Sequence, residues 1–354
     1  MTELDDGRLL TTFAPDGAYE RNIGLGAHVC AALQDCRDVV LPQSYRKVKR
    51  IIVAGMGGSA IAGDFLQALC FEQGRMPVYT VRGYALPSWA DHRTLVAVCS
   101  HSGNTEETLS VFAEARARSA RIAVVTTGGE LLRLAEAAGV PALVYNFAPE
   151  PRSAFGHGFV RLVAIAESAG AIQIRDDVRA AAGGLEALGA QLAMACAEEH
   201  NPAKQLARFL HTKVPLIVGA GHLAPAARRW KTQLNENAEV FSVAEELPEL
   251  HHNTIAGLGG QAVIGDNLAT VLLDDAHLPD RTRRRYDITT EFLEEQRLPV
   301  YRLALGGKNM VASMLRAVLI GNMVSFYLAL LNGVRPADVA AIDYVKSRLV
   351  KAAV

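Results

Sequence analysis

The chain has 354 residues, half of them hydrophobic, with 36 Lys plus Arg against 37 Asp plus Glu for a formal net charge of −1. That length supports substantial cores for one large or two ordinary domains, and the near-neutral balance removes any global reason to bind nucleic acid, so an anionic ligand must be held locally. Five cysteines (Cys30, Cys36, Cys70, Cys99, Cys196) without a Cys-x-x-Cys pair, and the acidic start Met1-Thr2-Glu3-Leu4-Asp5-Asp6, lead us to expect a reduced, cytoplasmic setting without an export signal.

From Asn22 to Leu33, the residues Leu25, Val29, Ala32 and Leu33 recur at helical intervals, with Cys36 continuing the stripe, so residues 1–45 read as an N-terminal helical segment. Short apolar strands follow at 50–54, 77–81, 94–99, 121–126 and 142–146. They alternate with helical stretches such as Glu106–Ala117 and Glu130–Ala138. This alternation predicts an α/β subdomain over 46–175 built on a doubly wound parallel sheet. An alanine-rich helical bridge over 176–203 leads to Asn201-Pro202. The run Val214–Gly221 then restarts the scheme of buried strand, glycine turn and helix. Strands are expected at 238–242, 268–274 and 299–303, with helices at 223–234, 281–295 and 309–331. Residues 204–354 thus read as a second α/β subdomain, an internal duplication that ends in a C-terminal helix. The stretch 309–331 is apolar on nearly every face, but Arg316, Asn322 and Ser325 interrupt it and no run reaches 18 residues, so a membrane span is rejected. Such a helix must be buried on all sides, within its domain or against a partner subunit, and a homodimer is expected.

Two strand–turn–helix units carry the binding chemistry. After the strand at 94–99 comes Ser100-His101-Ser102-Gly103-Asn104-Thr105, where a glycine permits a tight turn and hydroxyls meet the free amides of a helix start. That suits a phosphate, although Thr105 could simply cap the helix. The companion turn is Gly55-Met56-Gly57-Gly58-Ser59. Its glycine spacing is not that of a dinucleotide fingerprint, and Asp64 stands too early to be the ribose carboxylate, so NAD binding is not expected. Right-handed crossovers place both turns on one sheet edge. Together the two turns resemble the sugar isomerase (SIS) fold, whose members bind phosphosugars at the carboxyl ends of a parallel sheet. The resemblance implies that Gly57, Gly58, Ser59, Ser100, Ser102 and Thr105 bind the phosphate.

Arg152 follows Pro149-Glu150-Pro151 and opens a helical run, where the helix dipole disfavours a cation. A nearby anion would explain it, and so would a surface salt bridge. Further on, Leu247-Pro248-Glu249-Leu250-His251-His252-Asn253 has no metal-site spacing, so no metal is expected. Glu236 near a helix end reads by itself as solvated.

Taken together, Lys231-Thr232-Gln233-Leu234-Asn235-Glu236-Asn237 and the Pro-Glu-Leu-x-His-Asn run resemble the bifunctional phosphoglucose/phosphomannose isomerase family, with the likeness extending over roughly Lys49 to Leu349. The resemblance implies interconversion of glucose 6-phosphate or mannose 6-phosphate with fructose 6-phosphate through a cis-enediol, with no redox cofactor. It also implies roles. Glu236 is the base between C1 and C2, His252 assists ring opening from the neighbouring subunit, and Arg152 stabilises the enediolate. Lys346, in Ile342-Asp343-Tyr344-Val345-Lys346, completes the set. The chain departs from the pattern in three places. His251 stands where an asparagine is expected, which leaves open which ring acts; Gly333–Lys346 lacks the threonine associated with mannose activity; and Phe155-Gly156-His157-Gly158 is unusually glycine-rich. Two other readings share the cradle: a phosphosugar-binding SIS sensor without turnover, and an aminosugar-phosphate isomerase.

Overall fold

The computed structural model describes residues 3–260, 265 and 267–352, so the outermost two residues of the expected N-terminal and C-terminal segments lie outside the described residues. The β-branched runs become two parallel sheets. β1 (Arg50–Ala54), β2 (Val78–Val81), β3 (Thr94–Ser100), β4 (Arg121–Thr126) and β5 (Ala142–Val144) lie in the order β2-β1-β3-β4-β5. All seven residues of β3 are buried, as a central strand covered on both faces requires. β6 (Val214–Ala220), β7 (Val243–Leu247), β8 (Leu268–Asp274) and β9 (Val300–Ala304) form the second sheet in the order β7-β6-β8-β9. Each sheet reverses its winding beside its first strand, between β1 and β3 and between β6 and β8, and a crevice opens there at the carboxyl edge.

In chain order the helices are α1 (Arg8–Phe13), α2 (Ala18–Ile23), α3 (Leu25–Asp35), α4 (Gly57–Gln73), α5 (Glu106–Ala117), α6 (Gly129–Ala138), α7 (Phe155–Ser168) and α8 (Arg175–Leu192). They continue with α9 (Pro202–Leu210), α10 (Ala224–Asn237), α11 (Thr254–Leu258), α12 (Asp280–Glu295), α13 (Met310–Leu331) and α14 (Ala340–Ala352). The Asn-Pro signal starts α9: Asn201 Oδ1 accepts the amides of Ala203 and Lys204, and Pro202 needs no partner for the N–H it lacks. The bridge helix α8 is itself part of the core, packed against α3 and α13.

Two expectations change. The strand placed at 238–242 begins instead at Val243, because α10 runs on to Asn237 and the chain reverses through Glu239 at φ +54°, with the Val240 amide bonded back to Leu234. Only at Val243 does pairing with Leu216 start. The apolar helix α13 is covered within the chain by α8, α9, α10 and α2. Its all-round apolarity therefore gives no reason to invoke a second copy. Asp64, too early for a ribose, is buried on α4 and takes Arg82 at 2.6 Å and Arg228 of α10 at 3.0 Å, which fastens the two lobes together.

Candidate active site

At the carboxyl edge of the first sheet the two glycine turns meet. Gly103 lies at φ +71°, and a Cβ there would fall 1.8 Å from the Gly128 oxygen, so only glycine lets the loops after β3 and β4 touch. Thr105 occupies the N-cap position of α5, but its hydroxyl makes no capping bond; it lies 3.0 Å from Ser100 Oγ. The capping explanation thus fails for this side chain. Ser100 Oγ also accepts the Gly103 amide at 3.1 Å, Ser102 Oγ accepts the Asn104 amide at 3.2 Å, and Ser59 Oγ accepts the His101 amide at 3.3 Å. The hydroxyls and the amides of the α4 and α5 starts form a neutral, donor-rich nest suited to an anion.

The nest adjoins the only arginine among the expected residues. Arg152 sits in a 3-10 turn (Pro151–Ala154) ahead of α7, and Gly58 makes room for it: a Cβ at 58 would stand 2.9 Å from the Pro151 oxygen and 3.1 Å from Arg152 Cα. The side chain is 5% exposed, so it is not a solvated surface arginine. Its Nε donates to Asn237 Oδ1 at 2.7 Å, and its Nη2 donates to the carbonyls of Pro336 at 2.7 Å and Ala337 at 3.0 Å. Nη1 stands 3.6 Å from Glu236 Oε2 at the end of α10. The second lobe thus delivers a carboxylate beside the first lobe's nest.

Burial raises the Glu236 carboxyl above the usual range, and Arg152, Arg229, Lys346 and Lys231 hold the rise in check. A carboxylate so tuned, with an adjoining guanidinium, can take a proton from carbon and return it while the cation faces the developing oxyanion. Lys346 is on α14, 71% exposed and 4.0 Å from Asp343, close enough for its charge to act on Glu236.

The histidines lie elsewhere. β7 runs parallel to β6, so its carboxyl end, with Glu249–His252 just beyond, lies at the edge where α10 begins. Glu236 is near the other end of that 14-residue helix, roughly 20 Å away at 1.5 Å per residue. The structure does not bring His252 to Glu236 of the same chain. His251 is engaged on both nitrogens, with Thr289 Oγ1 at 2.8 Å and an Arg285 N–H donating to Nδ1 at 3.0 Å, whereas His252 is exposed. The Phe155–Gly158 segment packs inward as the first turn of α7, where His157 stacks on Tyr145, whose hydroxyl meets His101 Nδ1 at 3.0 Å.

Several participating residues escape a reading of the sequence: Asn237, Arg229, and the α13 pair Asn322 and Ser325. Asn237 donates to Ser325 Oγ at 3.0 Å, and Arg229 donates to Asn322 Oδ1 at 3.0 Å. The polar interruptions of α13 were the available signal. Among the described residues no cluster of three or more His, Cys, Asp or Glu could hold a metal ion. A cavity of about 380 Å³ opens at the opposite end of α10, between Phe71, Tyr79, Gly221, Arg228 and Glu246, and contains none of these groups.

Known proteins share the fold and much of the sequence. Residues 44–138 match the SIS domain, and residues 199–349 match the bacterial phospho-glucose isomerase C-terminal SIS domain. A hypothetical protein from Thermus thermophilus shares the fold with a TM-score of 0.74 at 19% identity, over 99% of this chain and 93% of that one. The bifunctional phosphoglucose/phosphomannose isomerase of Aquifex aeolicus is 30% identical over 86% of this chain and 91% of its own. The enzyme of the same name from Caldicellulosiruptor bescii is 33% identical over 94% of this chain and 98% of its own. With both lobes matched in order and nearly the whole length aligned, the chain belongs to the bifunctional phosphoglucose/phosphomannose isomerase family.

Proposed function

We propose that this chain is an aldose–ketose isomerase that interconverts glucose 6-phosphate, and less readily mannose 6-phosphate, with fructose 6-phosphate. The observation that carries the reading is the contact of buried Arg152 with half-buried Glu236 at 3.6 Å, set against the Gly58–Ser59 turn of the nest. The nest residues Gly57, Gly58, Ser59, Ser100, Ser102 and Thr105 hold the phosphate. Ring opening breaks the C1–O5 bond as the C1 hydroxyl loses a proton and O5 gains one. Glu236 then removes the C2 proton as O1 gains one to give a cis-enediol, and returns it at C1 as the O2 hydroxyl gives up its own, while Arg152 faces the oxygen on which negative charge develops. Lys346 completes the charged set over the opened sugar. His252 serves ring opening from a second copy, a role supported by its exposure and its distance from Glu236 in its own chain. The functional unit in this reading is a cytoplasmic homodimer with shared sites.

The test is a coupled assay of purified protein with glucose 6-phosphate, mannose 6-phosphate and glucosamine 6-phosphate. Turnover of the first, weaker turnover of the second and none of the third is expected. Binding without turnover on all three supports the sensor, and preference for glucosamine 6-phosphate supports the aminosugar enzyme. Glu236→Gln should lower kcat by about 10²–10⁴ while a phosphosugar analogue binds as before. Unchanged turnover removes the glutamate from the mechanism.

A further inference from the structure

Arg229 lies two helical turns before Glu236 on α10 and is 2% exposed. Its Nη2 donates to the Arg152 carbonyl at 3.0 Å and to Asn322 Oδ1 at 3.0 Å, its guanidinium lies 4.7 Å from the Phe155 ring centroid, and its Nε has no partner. Among the described residues no carboxylate forms an ion pair with it. A buried cation of this kind is costly unless an opposite charge offsets it, and Glu236, seven residues on along the same face of α10, supplies one. Burial pushes this guanidinium down to about 10, which still leaves it charged at neutral pH.

We propose that Arg229 is a positioning residue for the reaction: it anchors the backbone of Arg152 and places a permanent positive charge beneath Glu236, keeping that carboxylate ionised and ready to act as base. The proposal rests on Glu236 being the base. The charged groups facing Glu236 are Arg152 from the turn before α7, Arg229 and Lys231 from α10, and Lys346 from α14. Of these, Arg152 meets the reacting oxygens and Lys231 and Lys346 reach water. Arg152 and Arg229 are the buried pair, and Arg229, set two turns down the helix and turned away from the reacting oxygens, is weakly screened, so its field is the steady one. The arrangement also explains why α13 carries Asn322 within an apolar helix: the amide oxygen that accepts from Arg229 also accepts from Gln233 Nε2 at 3.1 Å, fixing the guanidinium without neutralising it.

The experiment is the pH profile of kcat/KM for wild type, Arg229→Gln, Arg229→Met and Arg229→Lys, with folding of each verified by circular dichroism. Removing the cation should move the acid limb upward by about half to one pH unit. The loss is then about 3- to 10-fold on the acid limb and smaller above pH 8, with KM within about twofold because the nest is untouched. Arg229→Met fills the space against Phe155 should the glutamine variant not fold. Arg229→Lys retains the charge and should keep the wild-type limb. A folded Gln or Met variant whose limb has not moved, or a Lys variant whose limb has, overturns the proposal. Glu236→Gln run alongside separates the two claims: if it keeps turnover, the base assignment fails, whereas an unmoved limb with an inactive Glu236→Gln fails Arg229 alone.

Discussion

The two carboxyl edges of this molecule share one topology and are filled in opposite ways. At the β1/β3 crevice the side chains are small hydroxyls and the backbone is glycine, and Ser59, Ser100, Ser102 and Thr105 are gathered there with the loop amides. At the β6/β8 crevice, the His222 ring places Nε2 2.7 Å from Asp275 Oδ2, and both side chains are buried. Burial works to raise the Asp275 carboxyl, yet the hydrogen bond from His222 holds it below its usual value. The second crevice is therefore plugged by its own ionisable pair, and the second lobe contributes through the far end of α10. A duplicated sheet can keep the same winding while one edge presents a nest of hydroxyls and amides and the other becomes core.

Variants that exchange these outcomes test the contrast. The largest effect is expected at the plug. Asp275→Ala leaves His222 buried without its partner and should cost about 3–5 kcal/mol of unfolding free energy in denaturant melts, with turnover per folded molecule preserved. A mild loss of stability would mean that the second crevice is already wet.

The first lobe should differ in acid. Burial lowers His28, His101 and His157 there, the last to about 4. A histidine lowered on folding binds fewer protons folded than unfolded, so its contribution to stability is complete above about pH 6.5 and is lost as the pH falls toward 4. His157→Phe should flatten that acid slope by at most about 3 kcal/mol, read from thermal melts between pH 4 and 7. A slope identical to wild type would show that His157 is not the group titrating.

The smallest effect belongs to the nest. Thr105→Ala should weaken binding of a phosphosugar analogue by about 1.5–3 kcal/mol and leave the melting temperature nearly unchanged, the mirror of Asp275→Ala. Calorimetric titration of the analogue decides it; full affinity would remove Thr105 from the nest.

Much of this architecture can be read locally. β-branched runs ending in glycine predict strands and turns because the period and the turn chemistry are both short-range. Glu106–Ala117 and 268–274 stand where the pattern puts them. The position of β7 could not be read this way, since it depends on how far α10 continues and on one left-handed residue, Glu239. The burial of Arg152 was hidden as well: an arginine after two prolines looks like surface, and its partners Asn237, Pro336 and Ala337 stand 85 to 185 residues away. His222 and Asp275 are 53 residues apart, and no spacing rule links them. Apart from the β7 boundary, what the sequence conceals here is a polar contact between lobes or between distant strands.

The bonds from Arg152 to the Pro336 and Ala337 carbonyls have a mechanical meaning. They tether the stretch from which the 13-residue α14 departs, so that one guanidinium both stands over the carboxylate and moors the arm carrying Lys346. Cutting that mooring sets a second charge adrift along with the first, and a single arginine thereby governs two of the cations that act on Glu236.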